Sequence, residues 1–305
     1  MGPRGERWPK ARLHLRNDFM YKVIDRIMQG VFLFCGLVTV ACVLVITVYL
    51  VVSGLPAIGE IGIIKFLFGK VWASTASNPS YGILPFILTS IYGTFGAIIL
   101  GVPIGFFTAV YLSKVAPLAV KKSVGFVVSL LASIPSVVYG LVGMLVLVPA
   151  IRKAFNLADG ATLFAAIIVL AIMILPSIIN VSMTSLDAVP RKYEEGSLAL
   201  GATELETYLR VSVPAARSGI VASIVLGTGR AIGEAMAVMM VSGNVPNMPE
   251  LFGSVRFLTT AVASEMSYSS GLQQQALFSI ALVLFVFIML INMLLRKVMS
   301  GGESK

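Results

Sequence analysis

Apolar residues in this chain of 305 residues gather into six long stretches that are separated by more polar segments. At 1.5 Å per residue, each stretch is long enough to cross about 30 Å of hydrocarbon as an α-helix. The pattern predicts an all-α, polytopic membrane protein with six transmembrane helices. These helices are expected near residues 30–52, 82–112, 123–148, 162–186, 218–243 and 275–295.

The distribution of positive charge predicts which side of the membrane each loop faces. The chain carries 23 Lys and Arg residues against 14 Asp and Glu residues. Most of the basic residues lie in the N-terminal segment 1–29, the loops at 113–122 and 187–217, and the tail 296–305. Because cytoplasmic loops are enriched in Lys and Arg, both termini are predicted to be cytoplasmic. The net charge of +9 is therefore a topology signal, and no nucleic-acid partner is inferred from it.

Composition excludes several classes of protein. A chain that is 57% hydrophobic and 12% charged does not resemble an ordinary soluble domain. The N-terminus does not match a cleaved signal peptide, because no small-residue cleavage site follows the first apolar stretch. Cys35 and Cys42 lie about 10 Å apart along one predicted helix, which is too far for a mutual disulfide. With His14 as the single histidine, neither a metal site nor a cofactor is expected in this chain.

Two charges, Arg230 and Glu234, lie inside the fifth apolar stretch. A charge at mid-bilayer costs about 2.5–3.5 kcal/mol on insertion scales, so such a residue usually faces a polar cavity, a partner or a substrate path. A spacing of four residues would place both side chains on one face of a continuous helix, close enough to pair. Two interpretations stay open: a substrate pathway, or a static ion pair that joins two helices.

Prolines lie within three of the predicted spans. Each proline removes a backbone donor, and the freed carbonyl must then be satisfied by protein or water. Transporters use such breaks around their binding sites, although proline is also common in membrane helices generally. Together with Ser136 and Tyr139, the breaks would provide a polar-lined path. The prolines are Pro85 and Pro103 in the second span, Pro135 in the third and Pro176 in the fourth.

The long cytoplasmic loop before the fifth span predicts two short helices. The first would cover residues 191–200, and Gly201 would end it in the left-handed conformation. Thr203 and Glu206 have the spacing of a capping box, which predicts the start of a second helix that ends at Pro214.

The second of these short helices would carry Leu205, Tyr208 and Leu209 on one face. A compact helical pair with an apolar face could fit a groove on a partner protein. The same residues would equally suit an amphipathic pair that lies on the membrane surface.

This loop resembles the EAA loop of ABC-importer permeases. Residues 195–197, Gly201 and residues 211–214 match the spacing of that motif, with Gly-Ser in place of the usual Ala-Ala. In that family the loop docks into a cleft of a cytoplasmic ATPase. The resemblance therefore implies a coupling surface formed by Glu194, Glu195, Gly201, Leu205, Leu209 and Pro214.

The remaining motifs resemble those of phosphate-specific permeases. Residues 227–244, 133–140 and 113–117 match the corresponding stretches of that group. Met236 and residues 269–272 favour the PstC type over the PstA type. The resemblance covers about residues 80–295, and it implies the type I ABC importer permease (MetI-like) fold. The predicted domains are 1–29 (basic segment), 30–80 (first span and external loop), 81–295 (permease domain with coupling loop 187–217) and 296–305 (tail).

The resemblance also implies a function and partners. The chain would be the permease subunit of an ATP-driven importer of inorganic phosphate in a bacterial or archaeal cytoplasmic (inner) membrane. Its partners would be membrane lipid, a PstA-type second permease, two copies of an ABC ATPase that holds ATP and Mg²⁺, and an external phosphate-binding protein. Because the chain lacks a Gly-x4-Gly-Lys-Ser/Thr phosphate cradle, it is not expected to be an enzyme.

The charged pair has expected roles in this function. The planar guanidinium of Arg230 matches the oxygens of a phosphate dianion, so Arg230 is the expected anion contact. Glu234 could neutralise Arg230 between substrates, or accept the proton of monohydrogen phosphate.

Three other functions are weighed against this one. The same permease class could carry another oxyanion, such as sulfate, molybdate or phosphonate, since each of them welcomes a guanidinium. A secondary transporter would need inverted repeats and further intramembrane acids. A membrane enzyme would need a cluster of catalytic side chains at one depth.

Overall fold

A computed structural model describes residues 11–300 of the chain. Parts of the predicted basic segment and tail, residues 1–10 and 301–305, lie outside the described residues. The chain divides into two compact units, one up to Val52 and one from Ser53 onward. Within the described residues, the first unit is the part of one long helix up to Val52, and the second holds the end of that helix and the remaining elements.

The described residues are mostly helical. The long helices are α1 (Ala11–Ile61), α3 (Leu84–Val110), α4 (Leu118–Ser133), α7 (Leu163–Asp187), α11 (Arg217–Gly233) and α14 (Gly271–Ser300). The short helices are α2 (Ile63–Phe68), α5 (Ser136–Val142), α6 (Val148–Ala154), α8 (Arg191–Ala199), α9 (Glu204–Thr207), α10 (Val213–Ala215), α12 (Met236–Val241) and α13 (Leu258–Glu265). Wider π-type turns cover Tyr111–Val115, Gly143–Leu147 and Tyr208–Ser212, and a 3₁₀ turn covers Met266–Tyr268.

The prediction of an all-α membrane protein is confirmed, but the predicted helix boundaries need correction. Five helices of the described chain are long and apolar enough to span a membrane. A sixth is obtained if Glu204–Ala215 and Arg217–Gly233, which meet at a bend of 71°, count as one span. The first helix does not end near residue 52 as predicted; it continues to Ile61, and Pro56 lies inside it. The predicted external loop from residue 53 therefore begins as helix.

The prolines do not all act as predicted. Pro85 lies in the first turn of α3, where its missing N–H would be free in any case. Pro103 and Pro176 lie inside α3 and α7, which continue through them. A membrane helix tolerates an interior proline when neighbouring groups satisfy the freed carbonyl. Only Pro135 coincides with a break, between α4 and α5.

Helix α7 lies at the centre of the second unit. Its buried residues, such as Leu170, Met173 and Ile174, form the main hydrophobic cluster. It packs mainly on α3 and α11. Where α7 meets α11, the buried hydroxyls of Ser182 and Ser223 are joined by a hydrogen bond of 2.8 Å.

Glycines on α3 allow its close approach to α7. A methyl group added at any of three glycines would lie within 2.8 Å of an isoleucine side chain of α7. From one pair to the next, the residue numbers on α3 and on α7 rise together, so the two helices run parallel. The pairs are Gly96 with Ile167, Gly101 with Ile174, and Gly105 with Ile178.

A small β-hairpin lies in the segment between α2 and α3. Strand β1 (Trp72–Ala73) pairs antiparallel with β2 (Ser80–Tyr81). The Trp72 ring packs edge-on against Tyr81, with 5.5 Å between the ring centroids, and both are buried with residues of α13 and α14. The predicted external loop is therefore an ordered part of the second unit.

Candidate functional site

Two helix breaks lie beside one another in the second unit. At the first, Ile134 and Pro135 are extended between α4 and α5. At the second, Glu234 is extended between α11 and α12 (φ −74°, ψ 126°). Helices α5 and α12 pack closely, since a methyl group added at Gly140 would lie 2.8 Å from the Cα of Ala237. The structure therefore brings two discontinuous helices together, an arrangement that transporters use at binding sites.

The second break corrects the expected pairing of Arg230 with Glu234. Helix α11 ends at Gly233, so the two residues do not share a helical face. Glu234 Oε1 accepts a hydrogen bond of 2.9 Å from the backbone N–H of Ala237, in the first turn of α12. None of the three ion pairs within residues 11–300 includes Arg230. The extended backbone turns the carboxylate toward the free N–H groups that open the next helix.

Helix dipoles help to explain how each charge is tolerated by itself. Arg230 lies in the last turn of α11, where the partial negative charge of a helix end favours a cation. Glu234 lies just before α12, where the partial positive charge favours an anion. The Glu234 carbonyl also accepts a hydrogen bond of 2.8 Å from Thr259 Oγ1, which holds the break against α13.

The first break is stabilised by Tyr139. Because Pro135 has no N–H, it cannot donate to the Leu131 carbonyl four residues earlier. The Tyr139 hydroxyl donates to that carbonyl at 2.7 Å. Tyr139 is half-buried, and the charge of Arg230 lies within electrostatic range of its hydroxyl. Ser136 lies half-buried at the first position of α5.

We expect Gly140→Ala to disturb the contact between the two discontinuous helices. The added methyl group would meet the backbone of Ala237 and the Met240 sulfur at 2.8 Å, and backbone cannot move aside easily. Overpacking of this kind costs about 1–3 kcal/mol. Thermal unfolding in detergent and transport by the reconstituted complex would measure the effect.

The matched control is Gly125→Ala on α4, where nothing lies within 4 Å of the added methyl group. We expect this variant to be neutral or slightly stabilising, because alanine favours helix over glycine. Equal behaviour of the two variants would contradict a close fit at Gly140.

The predicted pair of short helices in the cytoplasmic loop is confirmed. Helix α8 ends one residue before the predicted boundary, and Gly201 follows with φ +86°. Thr203 Oγ1 accepts from the backbone N–H of Glu206 at 3.3 Å, and Glu206 accepts from the backbone N–H of Thr203 at 3.1 Å. The second helical run extends to Ala215, just past Pro214. Local sequence signals alone set these boundaries.

Glu194 and Glu195, adjacent in the loop, have opposite environments. Glu195 is exposed. Glu194 forms an ion pair of 2.6 Å with Lys114 and accepts a hydrogen bond of 2.7 Å from Ser212. Burial alone would raise the pKa of Glu194, but the hydrogen bonds from Lys114 and Ser212 and the charges of Lys114 and Arg191 outweigh it and lower this pKa below its usual value. Glu194 is therefore ionised at neutral pH and directed inward, while Glu195 is available to a partner.

Leucines on the same loop are unusually accessible. Leu205 and Leu209 are 64% and 44% exposed. Leu200, which the sequence did not single out, is 90% exposed beside Gly201. Exposed apolar side chains on this loop would be available to a partner protein or to the membrane surface.

A partly buried polar network around Glu265 was missed by sequence reasoning. Glu265, at the end of α13, forms an ion pair with Arg256. Its carboxylate also accepts from Trp72 Nε1 at 3.3 Å and Gln273 Nε2 at 3.1 Å. Arg256 Nε in turn donates to the Asn244 carbonyl at 3.0 Å. These partners come from segments up to 193 residues apart, so no local pattern could have shown the network.

The described residues do not suggest a metal centre. Within residues 11–300, no group of three or more His, Cys, Asp or Glu side chains is placed to hold a metal ion. Cys35 and Cys42 are both free thiols on α1.

Comparisons with known proteins agree with this geometry. The family described as binding-protein-dependent transport system inner membrane component matches residues 101–300. The "Probable ABC transporter permease protein YqgH" of Bacillus subtilis is 39% identical, with 87% of this chain and 88% of that protein covered. The "Phosphate transport system permease protein PstC" of Pasteurella multocida is 34% identical, with 79% and 81% covered.

Solved structures share the fold. A chain of a bacterial alginate ABC transporter has a TM-score of 0.59 at 15% identity, with 92% of this chain and 96% of that chain covered. A chain of the MetNI methionine ABC transporter has a TM-score of 0.54 at 19% identity, with 72% and 94% covered. The chain therefore belongs to the family of binding-protein-dependent transport system inner membrane components, has the fold of type I ABC importer permeases, and is of the PstC type.

Proposed function

We propose that this chain is the permease subunit of an ATP-driven importer of inorganic phosphate. The single observation that supports an anionic substrate is Arg230, a half-buried arginine without an ion-pair partner in the described chain, beside two discontinuous helices. Relatives at 30–34% identity are phosphate transport system permeases by name, which supports the same cargo. The fold alone does not choose a cargo, because it is shared with methionine and alginate transporters.

Arg230 would contact the anion in transit. A charge held away from water is costly unless an opposite charge compensates it. A phosphate dianion would supply that charge, and its oxygens suit the planar fork of a guanidinium. Because none of the ion pairs within residues 11–300 includes Arg230, the anion would not have to displace a carboxylate.

Glu234 would act separately from Arg230. Its Oε1 is engaged by the N–H of Ala237, so neutralising Arg230 is no longer the favoured role. The second carboxylate oxygen would be available to accept the proton of monohydrogen phosphate, a donor that sulfate lacks. Ser136 would add a hydroxyl at the start of α5, while Tyr139 would mainly hold the first break.

The cytoplasmic loop would dock the ATPase. Glu195 and the exposed Leu205 and Leu209 would meet the partner, and Gly201 would set the angle between α8 and α9. ATP and Mg²⁺ would bind to that partner, in two copies. A PstA-type permease would complete the pathway, and an external phosphate-binding protein would deliver the anion. The assembly would lie in a bacterial or archaeal cytoplasmic membrane.

The experiment that tests this function is ATP-dependent uptake of labelled phosphate. Proteoliposomes would hold this chain with its candidate permease, ATPase and binding-protein partners, and sulfate and molybdate would serve as competitors. We expect uptake that persists in excess sulfate and molybdate. Uptake of another oxyanion in place of phosphate, by a complex whose ATPase responds to the loaded binding protein, would contradict the cargo and retain the permease.

A further inference from the structure

Two ion pairs join segment 111–121, which leads from α3 into the first turns of α4, to the region around the coupling loop. Lys114 Nζ lies 2.6 Å from Glu194 Oε1 on α8. Lys121 Nζ lies 2.8 Å from Asp187 Oδ2 at the end of α7, and Ser113 also donates to Asp187 at 2.7 Å. The segment 111–121 is therefore attached to the coupling loop and to the helix that leads into it.

The Lys114–Glu194 pair is the more buried of the two. The side chains of Lys114 and Glu194 are only 10% and 18% exposed, against 29% and 40% for Lys121 and Asp187. Because Ser212 also donates to Glu194, one carboxylate ties together segment 111–121, α8 and the turn after α9. A pair shielded from water in this way is screened little by salt, and losing one partner leaves the other charge uncompensated.

Segment 111–121 leads directly toward the first helix break. Its Leu112 is buried against Val128 of α4 and Ile179 of α7. Helix α4 then runs to Ser133. Its Leu131 carbonyl accepts a hydrogen bond from the Tyr139 hydroxyl, which lies on the other side of the break. A continuous line of packed and hydrogen-bonded groups thus connects Glu194 to Tyr139.

We infer that Lys114 is a positioning residue that transmits displacement of the coupling loop to α4, and through α4 to the break beside Arg230. The inference rests on the proposed function of that loop. It adds a route separate from the direct continuation of the loop into α11, where the chain bends by 71°. Closure of the ATPase would then move both discontinuous helices, one through α11 and the other through the Lys114–Glu194 pair.

The test compares Lys114→Met with Lys122→Met in the complete reconstituted complex. Lys122 is an exposed neighbour and forms none of the ion pairs within residues 11–300, so its variant controls for loss of a cytoplasmic charge. We expect the Lys114→Met complex to retain its ATPase and its hydrolysis, while the anion imported per ATP falls by about tenfold. Lys122→Met should keep the wild-type ratio.

A second experiment exchanges the two charges of the Lys114–Glu194 pair. The double variant Lys114→Glu with Glu194→Lys restores opposite charges and should bring the transport-to-hydrolysis ratio back to within about threefold of wild type. An unchanged ratio in Lys114→Met would overturn the inference. So would an assembled double variant that stays uncoupled.

Hydrogen exchange keeps the inference testable if Lys114→Met does not assemble. In the wild-type complex, ATP binding should change the exchange rate of amides in α4, while Lys114→Arg should preserve coupling. Unchanged exchange in α4 would overturn the inference. A wild-type complex that imports a different anion would contradict only the proposed cargo, because the coupling ratio can be measured with whichever anion is carried.

Discussion

Arg230→Gln is expected to abolish phosphate uptake while the complex stays assembled. Glutamine nearly preserves the length of the side chain but removes the charge and the fork of donors. Losing one partner of a desolvated, hydrogen-bonded charge pair costs about 2–5 kcal/mol, which corresponds to at least about 30-fold in transport. Initial uptake rates in proteoliposomes, normalised to the amount of co-purified ATPase, would measure it.

Two further variants distinguish the effect of the guanidinium group from the effect of positive charge in general. Arg230→Lys keeps the charge without the planar fork and should retain partial transport. Arg152→Gln removes an exposed arginine near the far end of the helical run that begins at Ser136, and it should transport normally. Uptake by Arg230→Gln at the wild-type rate would remove Arg230 from the pathway and leave its charge a purely structural feature of the end of α11.

Glu195→Lys is expected to detach the ATPase or to uncouple it. Glu195 is exposed on α8 and makes none of the ion pairs within the described residues, so reversing its charge should not disturb folding. Like charges placed against each other across an interface cost several kcal/mol, so ATPase affinity should fall by about 100-fold or more. Co-purification of the ATPase with tagged permease, together with anion-stimulated hydrolysis, would measure it.

The matched control is Lys122→Glu, which reverses a charge elsewhere on the cytoplasmic side. It should retain the ATPase. If Glu195→Lys also retains the ATPase and its hydrolysis still follows transport, then α8 does not form the docking surface, and the alternative of a helical pair on the membrane surface becomes the better explanation.

The cytoplasmic loop could be predicted from sequence because its signals are local. The left-handed Gly201 and the reciprocal bonds of Thr203 and Glu206 depend on residues within a few positions of each other. The break at Glu234 could not be predicted, because residues on both sides of it are apolar and hydropathy does not distinguish an extended residue from a helical one. As a result, a spacing of four residues suggested a pair that the backbone does not allow.

The prolines predicted only some of the helix breaks correctly. Pro135 marks one, where the Leu131 carbonyl accepts hydrogen bonds from the Ile134 N–H at 3.3 Å and from the Tyr139 hydroxyl at 2.7 Å. Pro103 and Pro176 have the same local chemistry but lie inside continuous helices. The difference arises from tertiary packing, which also produces the Glu265 network and the Lys114–Glu194 pair between residues far apart in the chain.

The glycine contacts between α3 and α7 limit how these helices can move. The isoleucines of α7 fill the space beside three glycines of α3, so that no methyl group would fit there. They are Ile167, Ile174 and Ile178. Sliding one helix along the other would therefore break three fitted contacts together and press side chains against backbone. The two helices are expected to move as one rigid body during transport. We expect hinge rotation to be concentrated at residues 134–135 and 234–235, where the described helices are interrupted.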